Sequence, residues 1–480
     1  MPSVVKPGWL LGRLGRRAAI VAWALLFSPH AGAVDAPPAA AIEGLALPSM
    51  GLEEALRYAR ERHPAVLAAR ARLAALRAEA EVPGAQWAPS VGAFAEVVAS
   101  TTNNSTTTVV NNPRVDLPRI GATPLRSGGD WAPSPSTLVA VGVRQQLYDF
   151  GRIAAQTAAA DAAAGVEALR GQAARLDVDF AVAEAYYAVL AARAVLRAAA
   201  SAEARSKTQR DFAKAGVERG LRPPLERTRA EADVARFEVG RVRAEGGLAV
   251  AQSVFAAAVG VPAPLLDARD EPPAPEAAPP PLASALRLAM SRDPAILEAR
   301  ARVTWQRAQA KAIGALLRPD LFLTGSLSGR AGGADPSSGE AARYGGWVPH
   351  IPNWSAALVL SLPLYDANVL ARRDAARVAE GARAAEARVL EQRQSAAVRQ
   401  AYTAVEVARA ALSALERSVE AARANQEQAD ARFKAGLGTA LEVADAEALR
   451  TDAEIQLAVG AFQLGRSRAA LARATAAGGP

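Results

Sequence analysis

Apolar positions along the chain follow two periods, and the switches between them mark out the elements. From Gly51 to about Trp87 the spacing of Leu52, Leu56, Tyr58, Val66, Leu67, Leu73 and Leu76 is helical, with Pro64 at a kink or helix junction. Pro83, Gly84 and Pro89 end that pattern. Ser90 to Thr101 then reads as a strand, Thr102 to Ser136 as a polar stretch rich in Asn, Thr, Pro and Gly, and Leu138 to Leu147 as the returning strand of a hairpin. Phe150 to Gly220 contains no proline, which predicts a helix on the order of 105 Å long, more than a compact domain uses.

The same succession is then written a second time. Ala55, Leu56, Arg57, Arg62, Pro64 and Ala69 to Arg72 return as Ala285, Leu286, Arg287, Arg292, Pro294 and Ala299 to Arg302, and Pro89 returns as Pro319. Leu147-Tyr148-Asp149 returns as Leu364-Tyr365-Asp366, and Gly220-Leu221 with Leu225-Glu226 returns as Gly436-Leu437 with Leu441-Glu442. Leu321 to Gly329 and Trp354 to Leu364 read as strands flanking a Gly/Pro-rich loop, Arg330 to Asn353. A tandem duplication of roughly 200 residues accounts for the preserved order. The two copies span 51–261 and 282–475, with hairpins at 90–147 and 321–364. Between them lies 262–281, a segment rich in proline that reads as a linker.

Within the second long helix Val398, Val405, Leu412, Val419 and Phe433 recur seven residues apart, with Gln426 the one polar exception. Val182, Val189, Leu196 and Val217 hold the matching places in the first. A sustained seven-residue period is a coiled-coil seam. The abundance of Ala, Arg, Glu and Leu suits long, thin helices that approach closely. Net charge is +8, but basic and acidic residues interleave, which argues against a nucleic-acid surface.

Residues 1–33 carry the marks of a secretory signal. Arg13, Arg16 and Arg17 precede the apolar run Ala18 to Phe27, and Ala31-Gly32-Ala33 offers the small residues of a cleavage site. Residues 34–50 read as a flexible Ala/Pro-rich lead. The chain has no cysteine, so disulfides, thiolate metal sites and a lipid-modified cysteine are excluded. Beyond the signal no apolar run is long enough for a membrane helix, so any membrane crossing must use a β-barrel. Each candidate strand is near the length of a tilted spanning strand, although a soluble hairpin shares that pattern.

Catalytic parts are missing from the sequence. The three histidines, His30, His63 and His350, have no metal-ligand spacing, no phosphate-binding glycine loop occurs, and Gly325-Ser-Leu-Ser-Gly329 places Leu327 where a nucleophile would stand. No enzyme activity and no cofactor are expected.

Together the repeated helix ending in Pro, the strand pair closing on Leu-Tyr-Asp, the long helix and the Gly-Leu turn followed by Leu-Glu resemble the outer-membrane efflux protein family, the TolC-like exit ducts, over roughly residues 50 to 475. The resemblance implies a mainly α fold with a membrane β-barrel. In it a homotrimer gives four strands per subunit to one outer-membrane barrel and long coiled-coil helices to a periplasmic α-barrel. It implies a passive duct, gated at its periplasmic tip, for type I protein secretion or small-molecule efflux. Its partners would be a periplasmic adaptor protein, an inner-membrane ABC or proton-driven pump reached through the adaptor, and outer-membrane lipid. The competing reading is a periplasmic adaptor, which carries one helical hairpin flanked by compact β domains rather than two hairpin copies.

The resemblance also implies site residues. Glu442 and Asp445 correspond to acidic residues at the constricted periplasmic entrance and, three apart, share a helix face. Thr439 to Glu442 equally reads as a capping box, which accounts for Glu442 without a gate. Gly438 stands where the family's best-known member has a basic residue, so any tie that closes the entrance must be built differently here. Glu226 either faces the entrance or complements a helix dipole. Gly220, Leu221, Gly436 and Leu437 are expected at adaptor-contacting helix tips, or as ordinary glycine caps. Tyr148, Tyr365, Trp87, Trp347 and Trp354 are candidate interfacial aromatics or junction packing, and Asp149 and Asp366 candidate N-caps.

Overall fold

The computed structural model describes residues 48–100, 134–270, 280–332 and 351–477. The expected signal segment, Trp347 and His350 lie outside these residues. Helix α1 (Leu52–Arg62) meets α2 (Pro64–Ala85) at His63, whose ring Nδ1 accepts from the Ala65 N–H at 3.1 Å. Pro64 sits at the first helical position, where no backbone donor is required. Instead of ending α2, Pro83 lies within its last turn. Strands β2 (Ser90–Ser100) and β3 (Ser134–Tyr148) lead into α3 (Arg152–Glu218), which is 67 residues long, and α4 (Pro224–Val259) returns beside it.

The order recurs. Helices α5 (Leu282–Arg292) and α6 (Pro294–Gly314) join at Asp293, strands β5 (Asp320–Gly332) and β6 (Ile351–Ser361) follow, and α7 (Ala367–Lys434) returns as α8 (Ala440–Thr475). Helices α3 and α8 lie side by side, so the two helical hairpins are packed together within one chain.

The four long strands form one antiparallel sheet in the order β2-β3-β5-β6, leaving β2 and β6 as edges. Cross-strand partners point to the same side, and the register divides the sheet into two chemically distinct faces. One carries Val91, Ala93, Ala95 and Val97, then Val139, Val141 and Val143, then Leu323 and Leu327, and lastly Trp354, Ala356 and Leu358. The large side chains of that face are exposed. On the other face Arg144 lies 3.6 Å from the Phe322 ring centroid, Thr324 is buried, and the hydroxyls of Ser326 and Ser355 are 2.8 Å apart. An apolar exposed face backed by a polar one is the pattern of a lipid-facing barrel wall.

Packing follows most of the seam expected from the sequence, with Leu196, Val217 and Leu412 only half-buried. Val398, Val405, Val419 and Phe433 are buried, as are Val182 and Val189. The largest core lies where α1, α3 and α4 meet, with Ala55, Ala59, Tyr186, Phe255 and Val259 in contact. Two short strands complete it: β1 (Ser49–Met50) pairs in parallel with β4 (Asp267–Ala268), Leu266 is fully buried, and the Tyr186 hydroxyl donates to the Arg269 carbonyl at 2.6 Å. So the end of the expected flexible lead and the start of the expected linker are held in the core. Apolar Leu266 and the backbone pairing outweigh the composition of the prolines nearby.

The helix starts differ between the halves. Asp366 is the N-cap of α7 and accepts from Asn368 N and Val369 N, as expected. Asp149 stands two residues before the N-cap of α3, Gly151, and accepts from Gly151 N and Ile153 N across a turn in which Phe150 and Gly151 both have positive φ. Strand β6 stops at Ser361, so Tyr365 lies beyond the strand and Trp354 within it.

Candidate gate at the helix tips

Both helical hairpins turn in the same way. After α3, Gly220 takes φ +68°, its N–H donates to the Val217 carbonyl at 3.0 Å, and Leu221 N–H reaches back to Gly216 at 2.9 Å. After α7, Gly436 takes φ +73°, donates to Phe433 at 3.0 Å, and Leu437 N–H reaches Arg432 at 2.9 Å. This is the glycine-closed helix end, in which positive φ spares the last carbonyls from being orphaned. Each turn leaves one leucine at the extremity, with Leu221 77% and Leu437 75% exposed. Two exposed leucines at the ends of the hairpins are apolar contact points left uncovered by the described residues.

The acidic residues separate into two kinds. Glu226, in the first turn of α4, pairs with Arg222 at 2.8 Å, so its charge is already neutralised at the helix N-terminus. Glu442 and Asp445 are exposed, and among the described residues neither carboxylate has a basic partner. Thr439 Oγ1 accepts from Glu442 N–H at 3.3 Å, so the forward half of the capping box is formed. No return bond from the Glu442 carboxylate is present among the described residues, and the carboxylate leans instead over Gly438. A Cβ at Gly438 would stand 3.1 Å from Glu442 Oε2 and 3.2 Å from Phe433 N.

The tie between the tips was not among the expected residues. Arg222 crosses from the first turn to the second: its guanidinium carbon is 3.7 Å from the Phe433 ring centroid, and Nη2 donates to the Phe433 carbonyl at 3.2 Å. Gly216 makes room for it, since a Cβ there would lie 2.8 Å from the Arg222 side chain. Higher up, Arg205 on α3 grips Glu447 on α8 through Nε at 2.8 and 2.9 Å, with Glu447 buried. On the neighbouring pair, Glu203 receives Arg241 and Lys207, both at 2.6 Å. Hydrogen bonds from Lys207 and then Arg241 hold the Glu203 carboxyl below the usual carboxylate range. The i,i+4 pair Glu203–Lys207 is visible as helical spacing, whereas Arg222–Phe433 and Arg205–Glu447 join residues 211 and 242 apart, which no local pattern encodes.

A four-stranded sheet with one lipid-type face, carried on helices of 67 and 68 residues, defines a barrel-and-tunnel membrane channel fold. The model of the outer membrane efflux protein family matches residues 55–261 and 285–477, and the chain belongs to that family. Among curated proteins no match is found. Of solved structures, the outer-membrane channel OprN is similar at 22% identity and TM-score 0.68, covering 88% of this chain and 89% of its own. The outer membrane protein VceC of Vibrio cholerae gives 18%, 0.65, 88% and 95% on the same measures. The open-state MtrE outer-membrane channel of Neisseria gonorrhoeae gives 20%, 0.64, 91% and 93%. These likenesses share the α-barrel and β-barrel fold.

Proposed function

We propose that this outer membrane efflux protein is the passive exit duct of a tripartite export system, working as a homotrimer and gated at its helix tips. The observation that carries the reading is the sheet: one apolar exposed face, one polar face, and two edges unpaired among the described residues. An open edge in lipid leaves backbone groups without partners, which a closed barrel removes. Three copies pairing β2 of one with β6 of the next supply twelve strands and close the edges. Exposed Val239, Val242, Val250 and Val254 on α4, and Val378, Val389 and Val407 on α7, give the helices apolar faces for the same neighbour.

The tips work as a two-state element. In the closed arrangement Arg222 holds the hairpins of one subunit together, while Glu442 and Asp445 from each copy surround the entrance. A periplasmic adaptor that contacts Leu221 and Leu437 only in the spread arrangement shifts the balance towards opening. The pump, of ABC or proton-driven type, supplies the energy and the cargo, a secreted protein or a small molecule. A periplasmic adaptor identity for this chain is disfavoured by its two helical hairpins and its lipid-type sheet. Deleting the gene and scoring both drug sensitivity and secreted protein tests the reading: loss of either export supports it, and full retention of both opposes it.

A further inference from the structure

The one polar break in the seam has a structural counterpart. Gln426 lines a cavity of about 300 Å³ walled by α3, α4, α7 and α8. Small residues make the space, Ala213, Ala230, Ala440 and Ala444 among them, and the rings of Phe212 and Phe237 line it. The Gln426 Oε1 accepts from Arg450 at 3.1 Å.

The buried polar atoms of the wall that lack a hydrogen bond among the described residues, Gln209 Nε2 and Arg205 Nη2, are both donors. Each wall carboxylate is occupied: Asp430 by Lys434 at 2.6 Å, Asp233 by Arg236 at 3.3 Å, and Glu447 by Arg205. Gln209 Nε2 is buried with no hydrogen-bond partner. Arg205 spends its Nε on Glu447 and leaves Nη2 buried at 2.7 Å, within ion-pair range but without an aligned hydrogen bond. Arg229, exposed at the rim, has no partner among the described residues. Buried donors without acceptors are costly, and an acceptor that fills them recovers that cost.

We infer that this cavity is a binding site for a small aromatic carboxylate, its ring between Phe212 and Phe237 and its anionic end on Gln209, Arg205 and Arg229. A pocket with apolar walls and a few convergent donors is how small-molecule sites fix both affinity and orientation. The site is separate from the entrance acids, so it stands whether or not those acids gate the duct.

The test uses the detergent-solubilised full chain and 2-naphthoate, with 2-naphthalenemethanol as the uncharged analogue, titrated calorimetrically against a micelle blank. Saturable binding of one naphthoate per chain is expected. Arg229→Gln and Gln209→Leu should each weaken naphthoate about tenfold, the scale of one lost charged hydrogen bond, and leave the alcohol's binding unchanged. Arg229 is on the surface, so its variant keeps the test sound even where Gln209→Leu lowers the yield. Equal affinity for acid and alcohol, undiminished naphthoate binding in both variants, or no saturable binding at all would overturn the assignment and leave a cavity that holds only water.

Discussion

The Arg222 guanidinium carbon lies over Phe433, 3.7 Å from the ring centroid, and the side chain donates to that residue's own carbonyl at 3.2 Å. One side chain therefore engages both the ring and the backbone of the opposite tip, while its 2.8 Å pair with Glu226 fixes the guanidinium in place. A cation over a ring contributes about 0.5 to 2 kcal/mol, the upper end where water is excluded.

Removing this tie should loosen the closed tips. Arg222→Ala is expected to raise single-channel conductance in planar bilayers and to increase entry of large antibiotics into cells, while Arg222→Lys, which keeps charge but not the planar fork, recovers only part of the closure. Unchanged conductance in Arg222→Ala would remove the tie from the gate.

The unpaired acids predict selectivity. Glu442 and Asp445 from three copies would place about six carboxylates at the entrance, and low-dielectric walls focus their field. Replacing both by Ala should reduce cation selectivity and block by multivalent cations. Because Thr439 supplies the cap through Glu442 N–H, which Ala retains, local helix stability should fall by about 1 kcal/mol in Thr439→Ala and little in Glu442→Ala. Unaltered selectivity in the double variant would assign these acids to the solvated surface.

The seam should not tolerate charge. Val405 is 2% exposed and packs with Leu464 and Leu471, so Val405→Asp buries an unpaired carboxylate at a cost of several kcal/mol. Its yield in membranes should collapse, whereas exposed Val407→Asp should fold and test only the outer face of α7.

Asp293 predicts a dependence on pH. It is fully buried at the α5–α6 junction, capping Ala295 N–H at 2.7 Å, bonded to Gln394 and 3.9 Å from Arg473. Burial raises its pKa above the ordinary value, outweighing the Ala295 bond and Arg473. A carboxyl whose folded pKa is raised contributes stability below its unfolded pKa and loses it as pH rises through the folded value. Asp293→Asn keeps the cap, so the wild type should gain on the variant as pH falls from 7 towards 4, read from unfolding midpoints. A gap that does not change with pH would contradict the assignment.

Much of this architecture was legible because the two hydrophobic periods are distinct and the breakers are well placed. Pro64 and Pro294 mark helix starts, Val398, Val405, Val419 and Phe433 of the seam are buried, and Asp366 caps its helix. What escaped were relations that no local pattern encodes. Arg222 and Phe433 are 211 residues apart, and β1 and β4 are two residues each, too short to show alternation. The expected strand to Leu364 ends earlier, at Ser361, before Leu362-Pro363, where proline cannot donate to a ladder, so Tyr365 lies outside β6 while its counterpart Tyr148 closes β3. Gln426 was visible as an exception, and only the packed helices reveal the cavity behind it.

If the duct is closed by three copies, β2 of one copy pairs with β6 of the next. The natural sequence has no cysteine, so pairs such as Ala95→Cys with Ala356→Cys, scanned one residue at a time along β6, report the contact without background. In isolated outer membranes a subset of adjacent pairs is expected to oxidise to covalent dimers and trimers and to nothing larger. Uncrosslinked monomer at every pair, a ladder running beyond three, or recovery of the chain only from the soluble periplasm would contradict it.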